Sequence, residues 1–198
     1  MNAATVVTSL RIALSPVFYV LFTLSVKDGR ATPTALWAIW ILFGIIEITD
    51  FVDGRIARRT DSVTALGKVF DPFADSFARL TYFLSYLVTG IMPGWVFLII
   101  LYRDLGVSFI RLMVMSKGTA LAARISGKIK AWVYAVAGGA GIALVTLRSL
   151  GGRGVEWATS SAAGFSTAVT VAWWLCIAAA AWTMIDYAAS YRRYAAQN

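Results

Sequence analysis

Hydrophobic residues dominate this chain in six long stretches, and polar residues gather in the short segments between them. The stretches cover about residues 6–26, 33–49, 69–89, 93–115, 131–147 and 162–187. A helix that crosses a bilayer needs roughly 20 mostly apolar residues, and no long segment alternates polar and apolar positions as the strands of a membrane barrel do. The pattern therefore predicts an all-α integral membrane protein, with residues 1–198 forming a single bundle of six transmembrane helices.

Composition supports a membrane protein and limits the chemistry available to it. Hydrophobic residues make up 59% of the 198 residues and charged residues 14%, against about 25% charged residues in an ordinary soluble domain. The chain has no histidine and one cysteine, Cys176, which excludes Ser-His, Cys-His and histidine–metal mechanisms and an intrachain disulfide. Acid–base or metal chemistry must therefore use carboxylates.

The distribution of basic residues predicts the orientation in the membrane. The net charge is +8, and six alternating spans divide the basic residues of the loops and helix ends between two sides. One side, shared by the two termini, holds Arg11, Arg55, Arg58, Arg59, Lys68, Lys117, Arg124, Lys128, Lys130, Arg192 and Arg193. The other side holds Lys27, Arg30, Arg148 and Arg153. By the positive-inside rule, both termini are expected in the cytoplasm, and the basic excess indicates a multi-pass cell-membrane protein with no nucleic-acid partner.

Four aspartates stand at the ends of spans two and three, where charged groups are costly. Asp50 and Asp53 are three residues apart, and Asp71 and Asp75 are four residues apart, so each pair lies on one helix face. A short connection joins the two helices, which lets the pairs face each other across a hairpin. Because clustered carboxylates repel each other, cations must neutralise them, and oxygen ligands select Mg²⁺ or Mn²⁺. The pattern indicates a two-metal site at the cytoplasmic face, of the kind used for displacement at phosphorus.

The same segment resembles the signature of a known family. The spacing D-x2-D-G-x2-A-R-x8-G-x3-D-x3-D runs from Asp50 to Asp75 and is similar to the motif of the CDP-alcohol phosphotransferases at every fixed position. The resemblance implies a six-helix, homodimeric membrane enzyme that transfers a phosphate-linked group from a CDP-activated donor to an alcohol and releases CMP. It implies two divalent ions on Asp50, Asp53, Asp71 and Asp75, with Asp75 as the base for the attacking hydroxyl. It also implies a CDP site lined by Gly54, Ala57, Arg58 and Gly67.

The second half of the chain bears on the acceptor. Arg103 and Arg111 are eight residues apart on span four, within about 80° of each other around a helix, and Lys128 stands near the start of span five. A cationic pocket beside a metal site suits a phosphorylated acceptor. These positions, together with Thr8-x2-Arg11, are similar to the phosphatidylglycerophosphate synthase branch of the family. That branch implies CDP-diacylglycerol as the donor and glycerol 3-phosphate as the acceptor, whose phosphate would bind Arg103, Arg111 and Lys128.

Alternatives remain open for the acceptor and for the basic residues. An inositol phosphate or another polyol phosphate is the second candidate for the acceptor. The chain departs from the phosphatidylglycerophosphate synthase branch at five positions: Thr5, Ser76, Asp104, Ala131 and Tyr134. Arg103 can instead pair with its neighbour Asp104, and Lys128 and Lys130 can simply anchor the cytoplasmic face. A cation transporter is the remaining class of function. The aspartates of a cation path would be spread along the membrane normal, whereas these cluster at one end.

Overall fold

The fold is all-helical over the part of the chain that the structure describes. The computed structural model describes the backbone of residues 3–59, 65–115 and 125–197, and their side chains except for those of 3–5, 7, 50–59, 65–72 and 194–197. Within these ranges the helices are α1 (Ala3–Ser25), α2 (Pro33–Arg59), α3 (Ala65–Val88), α4 (Gly94–Met115), α5 (Ile125–Gly151) and α6 (Glu156–Gln197). The prediction of an all-α chain is therefore confirmed, and each helix matches one hydrophobic stretch.

Tight turns join the helices in three hairpins at one end of the bundle, which we call the hairpin end (turns 26–32, 89–93 and 152–155). In the first turn, Lys27 and Arg30 exchange two backbone hydrogen bonds of 2.9 Å. Asp28 and Gly29 between them have φ angles of 51° and 70°, the left-handed region that Asp, Asn and Gly tolerate best. The first turn is therefore compact and places its basic side chains close to the ends of the helices.

The opposite end is where α1, α3 and α5 begin and α2, α4 and α6 end, and we call it the aspartate end. Side-chain contacts bring these helix ends together: Arg11 of α1 pairs with Asp75 of α3, and Ser126 of α5 donates to Asp186 of α6. Between the two ends, α1 packs against α2 and α3, while α4 and α5 pack against α6. Successive helices therefore run in opposite directions.

An aromatic core fills the centre of the bundle and brings α3 close to α5. The rings of Phe43 and Tyr82 have centroids 5.6 Å apart, and the Tyr86 hydroxyl donates to the Gly138 carbonyl at 2.6 Å. A methyl group at Gly138 would lie 3.1 Å from both the Phe43 and Tyr82 rings, and one at Gly141 would lie 2.8 Å from the Tyr86 ring. Glycine at these positions of α5 thus permits the close packing of aromatic rings against the helix backbone.

Three of the described helices are long and apolar enough to cross a membrane, over Thr8–Ser25, Ile125–Gly151 and Glu156–Arg193. In α2 the apolar part is the shorter segment Pro33–Thr49, after which the helix becomes polar. Both α3 and α4 carry charged residues within their length, Asp104 and its neighbour Arg103 among them. Hydropathy thus supports a membrane protein, and the prediction of six complete spans stays a prediction.

Candidate active site

The aspartate motif lies on two helix ends. Asp50 and Asp53 fall in the last turns of α2, and Asp71 and Asp75 fall in the first turns of α3. Because the backbone is helical at all four positions, the spacings of three and four residues place each pair on one helix face. The side chains of Asp50, Asp53 and Asp71 lie outside the described residues. The same holds for the predicted CDP-binding positions Gly54, Ala57, Arg58 and Gly67, whose role stays a prediction.

The structure describes the side chain of Asp75 and shows that it has a basic partner on α1. Its carboxylate forms an ion pair with Arg11, whose side chain is 2% exposed while that of Asp75 is 30% exposed. The carbonyl of Arg11 accepts a hydrogen bond of 2.8 Å from the Ser15 hydroxyl. The predicted catalytic carboxylate therefore stands at an accessible position, held by a buried guanidinium from another helix.

Arg11 is the residue of this site whose role sequence reasoning missed. From the sequence it counted as a basic residue of the cytoplasmic side and as part of the segment Thr8-x2-Arg11. The available signal was its position within an apolar helix, where a charged side chain requires a partner. That partner belongs to a helix more than sixty residues away in the chain, so only the tertiary structure identifies it.

The ligand atoms that the aspartate motif offers are suited to a metal site. Asp50, Asp53, Asp71 and Asp75 supply only carboxylate oxygens, the ligands that Mg²⁺ and Mn²⁺ prefer. Among the side chains that the structure describes, no three His, Cys, Asp or Glu residues come together. Since Asp75 alone of the four is described, the fit rests on the chemistry of the ligands and on their helical spacing.

A buried cluster of charges joins α4, α5 and α6 in the same half of the bundle. Asp104 accepts hydrogen bonds of 2.8 Å from Arg103 Nη1 and 2.6 Å from Lys130 Nζ. The Nε of Arg103 donates to the Thr183 hydroxyl at 2.8 Å, and the Lys130 ammonium lies 4.5 Å from the centroid of the Tyr134 ring. One carboxylate thus holds two cations that are each less than a tenth exposed.

This cluster shows where the structure places Arg103, the first of the three predicted acceptor residues. The ion pair between Arg103 and Asp104, considered as an alternative from the sequence, is observed. Lys130, for which the sequence left anchoring at the membrane surface open as an alternative, is buried against Asp104. With all three side chains ionised, their formal charges sum to +1.

Arg111 and Lys128 occupy different surroundings. The Arg111 guanidinium donates to the hydroxyl of Tyr187 on α6, and its Nε is buried with no hydrogen-bond partner among the described residues. Such a donor is available to a ligand or to water. Lys128 is exposed at the start of α5. The structure thus directs Arg103 and Arg111 towards α6 and leaves Lys128 at the surface; their binding of a phosphate stays a prediction.

The role of α6 in this region was not predicted from the sequence. Thr183 contacts Arg103, Tyr187 contacts Arg111, and Asp186 accepts a hydrogen bond of 2.6 Å from the Ser126 hydroxyl. Asp186 therefore links α6 to the start of α5. The spacing of Thr183 and Tyr187, four residues apart, places them on one helix face and is the only local signal of this role.

Comparison with known proteins identifies the family. The chain matches the family model described as CDP-alcohol phosphatidyltransferase over residues 1–185. A protein of Treponema pallidum (strain Nichols), named CDP-diacylglycerol–glycerol-3-phosphate 3-phosphatidyltransferase, is 35% identical over 159 residues, which are 76% of this chain and 72% of that protein. A protein of the same name from Bacillus subtilis (strain 168) is 34% identical over 142 residues, 69% of this chain and 74% of that protein.

A third relative carries a related name. The probable phosphatidylglycerophosphate synthase of Mycobacterium tuberculosis (strain ATCC 25618 / H37Rv) is 36% identical over 136 residues, covering 69% of this chain and 63% of that protein. The match of the family model includes all four motif aspartates, Arg11 and the buried cluster around Asp104. The chain therefore belongs to the CDP-alcohol phosphatidyltransferase family.

Proposed function

We propose that the protein is a CDP-diacylglycerol–glycerol-3-phosphate 3-phosphatidyltransferase, an enzyme of phospholipid biosynthesis. It transfers the phosphatidyl group of CDP-diacylglycerol to the hydroxyl of glycerol 3-phosphate and releases CMP. The observation that carries the proposal is sequence identity: over most of its length, the chain is about one-third identical to two proteins of that name. The position of the aspartate motif beside basic side chains at one end of the bundle supports it.

We further propose that the protein crosses the cell membrane six times, with both termini in the cytoplasm. Three helices qualify by length and hydropathy, and the charged groups of α4 face neighbouring helices. A polar side chain directed at another helix does not meet the lipid, so it does not prevent a helix from crossing the bilayer. The active site then lies at the cytoplasmic face, where it receives the soluble acceptor while the acyl chains of the donor remain in the bilayer. A homodimer is part of this proposal, on the family resemblance alone.

Asp50, Asp53, Asp71 and Asp75 would hold two divalent ions, Mg²⁺ or Mn²⁺. When bound, such ions neutralise phosphoryl oxygens and stabilise the departing CMP. The chain itself supplies the rest of the donor site. Arg58 offers a positive charge to the pyrophosphate, and the small residues Gly54, Ala57 and Gly67 leave room for the nucleotide beside the helix backbone.

Asp75 is proposed to accept the proton of the attacking hydroxyl. A general base must lie within hydrogen-bond reach of that proton, and the carboxylate of Asp75 is accessible at the aspartate end. Arg11 holds this carboxylate from the buried side, which limits its rotation. The acceptor oxygen then attacks the phosphorus of the phosphatidyl group, and the bond to the CMP oxygen breaks, with no covalent enzyme intermediate.

The acceptor phosphate is proposed to bind Arg103, Arg111 and Lys128. Asp104 and Thr183 hold the Arg103 guanidinium in one orientation, so little side-chain entropy is lost when it binds an anion. Arg111 retains a buried donor for which the described residues provide no acceptor. An inositol phosphate would use the same cations, so the identity of the alcohol must be tested directly.

The decisive test is CMP release by the purified protein with CDP-diacylglycerol, Mg²⁺ and a panel of acceptors. Glycerol 3-phosphate should be the best acceptor, and glycerol, serine and unphosphorylated inositol should be poor ones, because they bring no phosphate to the basic side chains. A preference for inositol phosphate would overturn the assignment of glycerol 3-phosphate as the acceptor and leave the transfer chemistry of the family intact. No CMP release with any acceptor would overturn the proposed enzyme.

A further inference from the structure

A second basic cluster lies at the hairpin end, far from the aspartate motif. Lys27 and Arg30 belong to the turn between α1 and α2, Arg148 to the last turn of α5, and Arg153 to the turn between α5 and α6. These are the four basic residues that the charge distribution assigns to the side opposite the cytoplasm. On that side the positive-inside rule leads us to expect few basic residues, so their concentration at one place requires an explanation.

The two turns are held together, so the four cations form one surface. Ala31 N donates to the Ser149 hydroxyl at 2.8 Å, and Arg153 Nη2 donates to the Ala31 carbonyl at 2.9 Å. Each turn also lies against an arginine of the other hairpin. A methyl group at Gly29 would lie 2.9 Å from Arg148 Nη1, and one at Gly152 would lie 3.1 Å from Arg30 Nε.

No carboxylate neutralises this surface within the described part of the chain. The ion pairs of Arg11, Arg103 and Lys130 lie in the other half of the bundle. Asp28 and Glu156 stand near in sequence, but neither forms an ion pair with the four cations among the described side chains. A set of like charges held close together attracts anions.

An apolar groove begins beside these cations and runs between α2 and α5. It has a volume of about 560 Å³ and is lined by Pro33, Leu36, Trp37, Trp40, Thr146, Leu150 and, at its rim, Arg153. The Trp40 indole donates to the Thr146 hydroxyl at 3.1 Å, which satisfies both polar groups and leaves the groove surface apolar. Trp37 is 71% exposed, so the groove opens on the outer surface of the bundle, where a membrane protein meets lipid.

We propose that this groove and the basic surface above it bind an anionic phospholipid. One acyl chain lies in the groove, and the headgroup phosphate lies among Arg30, Arg148 and Arg153. The combination favours a lipid because a soluble anion would use the cations but not the groove, and a neutral lipid would use the groove but not the cations. Basic pockets between transmembrane helices are a recurrent form of recognition for anionic headgroups, and tryptophans such as Trp37 suit the interface.

This site is distinct from the proposed substrate sites, because it lies at the opposite end of the helices from Asp75 and from Arg111. It rests on the membrane location of the chain but not on the identity of the acceptor. Removal of these cations should therefore leave CMP release in excess CDP-diacylglycerol intact. Failure of the acceptor panel and failure of lipid binding at the hairpin end are thus separate results.

Native mass spectrometry of the purified protein measures the binding. Delipidated protein in a neutral detergent is titrated with phosphatidylglycerol, and phosphatidylcholine of the same acyl composition is titrated in parallel. We expect tighter retention of phosphatidylglycerol. The double variant Arg148→Gln/Arg153→Gln should weaken this binding by about 30-fold, the loss expected from two interfacial cations. Its matched control is Arg192→Gln/Arg193→Gln, which removes the same charge from exposed positions of α6 and should change the binding little.

A second variant tests the groove without a change of charge. Leu150→Phe enlarges a groove-lining side chain and should reduce retention of phosphatidylglycerol, with the thermal unfolding of the delipidated protein as a check that it folds. Inorganic phosphate, the soluble source of the same anion, should not displace the lipid. Equal losses in the two double variants, equal retention of the two lipids, or full displacement by inorganic phosphate would each overturn the proposal.

Discussion

In the aspartate half of the bundle three buried cations pair with carboxylates, whereas the four cations of the hairpin end have no carboxylate partner among the described side chains. Arg11 pairs with Asp75, and Asp104 pairs with both Arg103 and Lys130. At the hairpin end, Arg148 and its neighbours lie against backbone and glycine instead. A charge inside a bundle must be paired because its desolvation is costly. A charge at the rim stays hydrated, needs no partner within the protein and can bind an external anion.

The comparison separates two uses of basic side chains in one membrane protein. Paired cations at the aspartate end have fixed positions, which suits a site where small groups must be held for reaction. The cations without carboxylate partners at the hairpin end are exposed or half-buried, and one of them, Arg153, lines the rim of the apolar groove, which suits attraction of a lipid headgroup. Substitutions at the two ends should therefore affect different properties.

The first prediction concerns the motif itself. Asp50→Asn and Asp71→Asn should each abolish turnover and weaken binding of divalent ions, because the loss of a carboxylate ligand removes several kcal/mol of stabilisation from a metal-assisted transition state. CMP release at saturating Mg²⁺ and direct binding of Mn²⁺ by electron paramagnetic resonance measure the two effects. Asp28→Asn removes an exposed aspartate at the hairpin end and is the matched control. Substantial turnover in either motif variant would contradict the two-metal assignment.

The second prediction concerns Asp75. Asp75→Asn should reduce the maximal rate by about 10²–10⁴ if proton transfer is its main role, with a smaller change in donor binding. Steady-state rates and titration of the donor separate the two parameters. Collapse of donor affinity with a surviving rate would make Asp75 a metal ligand only.

The third prediction tests whether the buried pairing at Asp104 is required for stability. Asp104→Asn keeps the size of the side chain but leaves Arg103 and Lys130 without their carboxylate. We expect a loss of about 3–5 kcal/mol in the free energy of unfolding, as for other broken buried ion pairs. Unfolding in a titration with sodium dodecyl sulfate measures it. Glu156→Gln, at an exposed position of the hairpin end, is the control and should change stability by less than about 0.5 kcal/mol; an equal effect of both variants would remove the distinction between the ends.

The fourth prediction concerns the acceptor and carries the smallest effect. Arg111→Ala and Lys128→Ala should each raise the KM for glycerol 3-phosphate by about ten- to a hundredfold, since a hydrogen bond to a charged group contributes roughly 1.5–3 kcal/mol. The KM for CDP-diacylglycerol should change little. The same kinetics with Lys27→Ala, a cation of the hairpin end, provide the comparison. A normal acceptor KM in both variants would exclude these residues from phosphate binding.

Much of the architecture was predictable from the chain because it depends on local properties. Hydropathy located each of the six helices in the described ranges, and the helical backbone at the four aspartates agrees with the spacing argument. The predicted limits of α6 were less accurate. The helix runs from Glu156 to Gln197, beyond both ends of the predicted stretch 162–187. Apolar residues mark where a helix can meet lipid or core, but they do not mark where a helix stops after it enters polar surroundings.

The helices, the aspartate motif and the family resemblance could be read from the chain, since helix formation and motif spacing are encoded by residues close together in it. Which side chains meet depends on the tertiary structure. It paired Arg11 with Asp75, buried Lys130 against Asp104, and joined Arg148 and Arg153 to the turn at Ala31. Such contacts depend on the rotation and offset of each helix against its neighbours. Those are set by the packing of the whole core, in which rings such as Tyr86 fit over glycines of another helix.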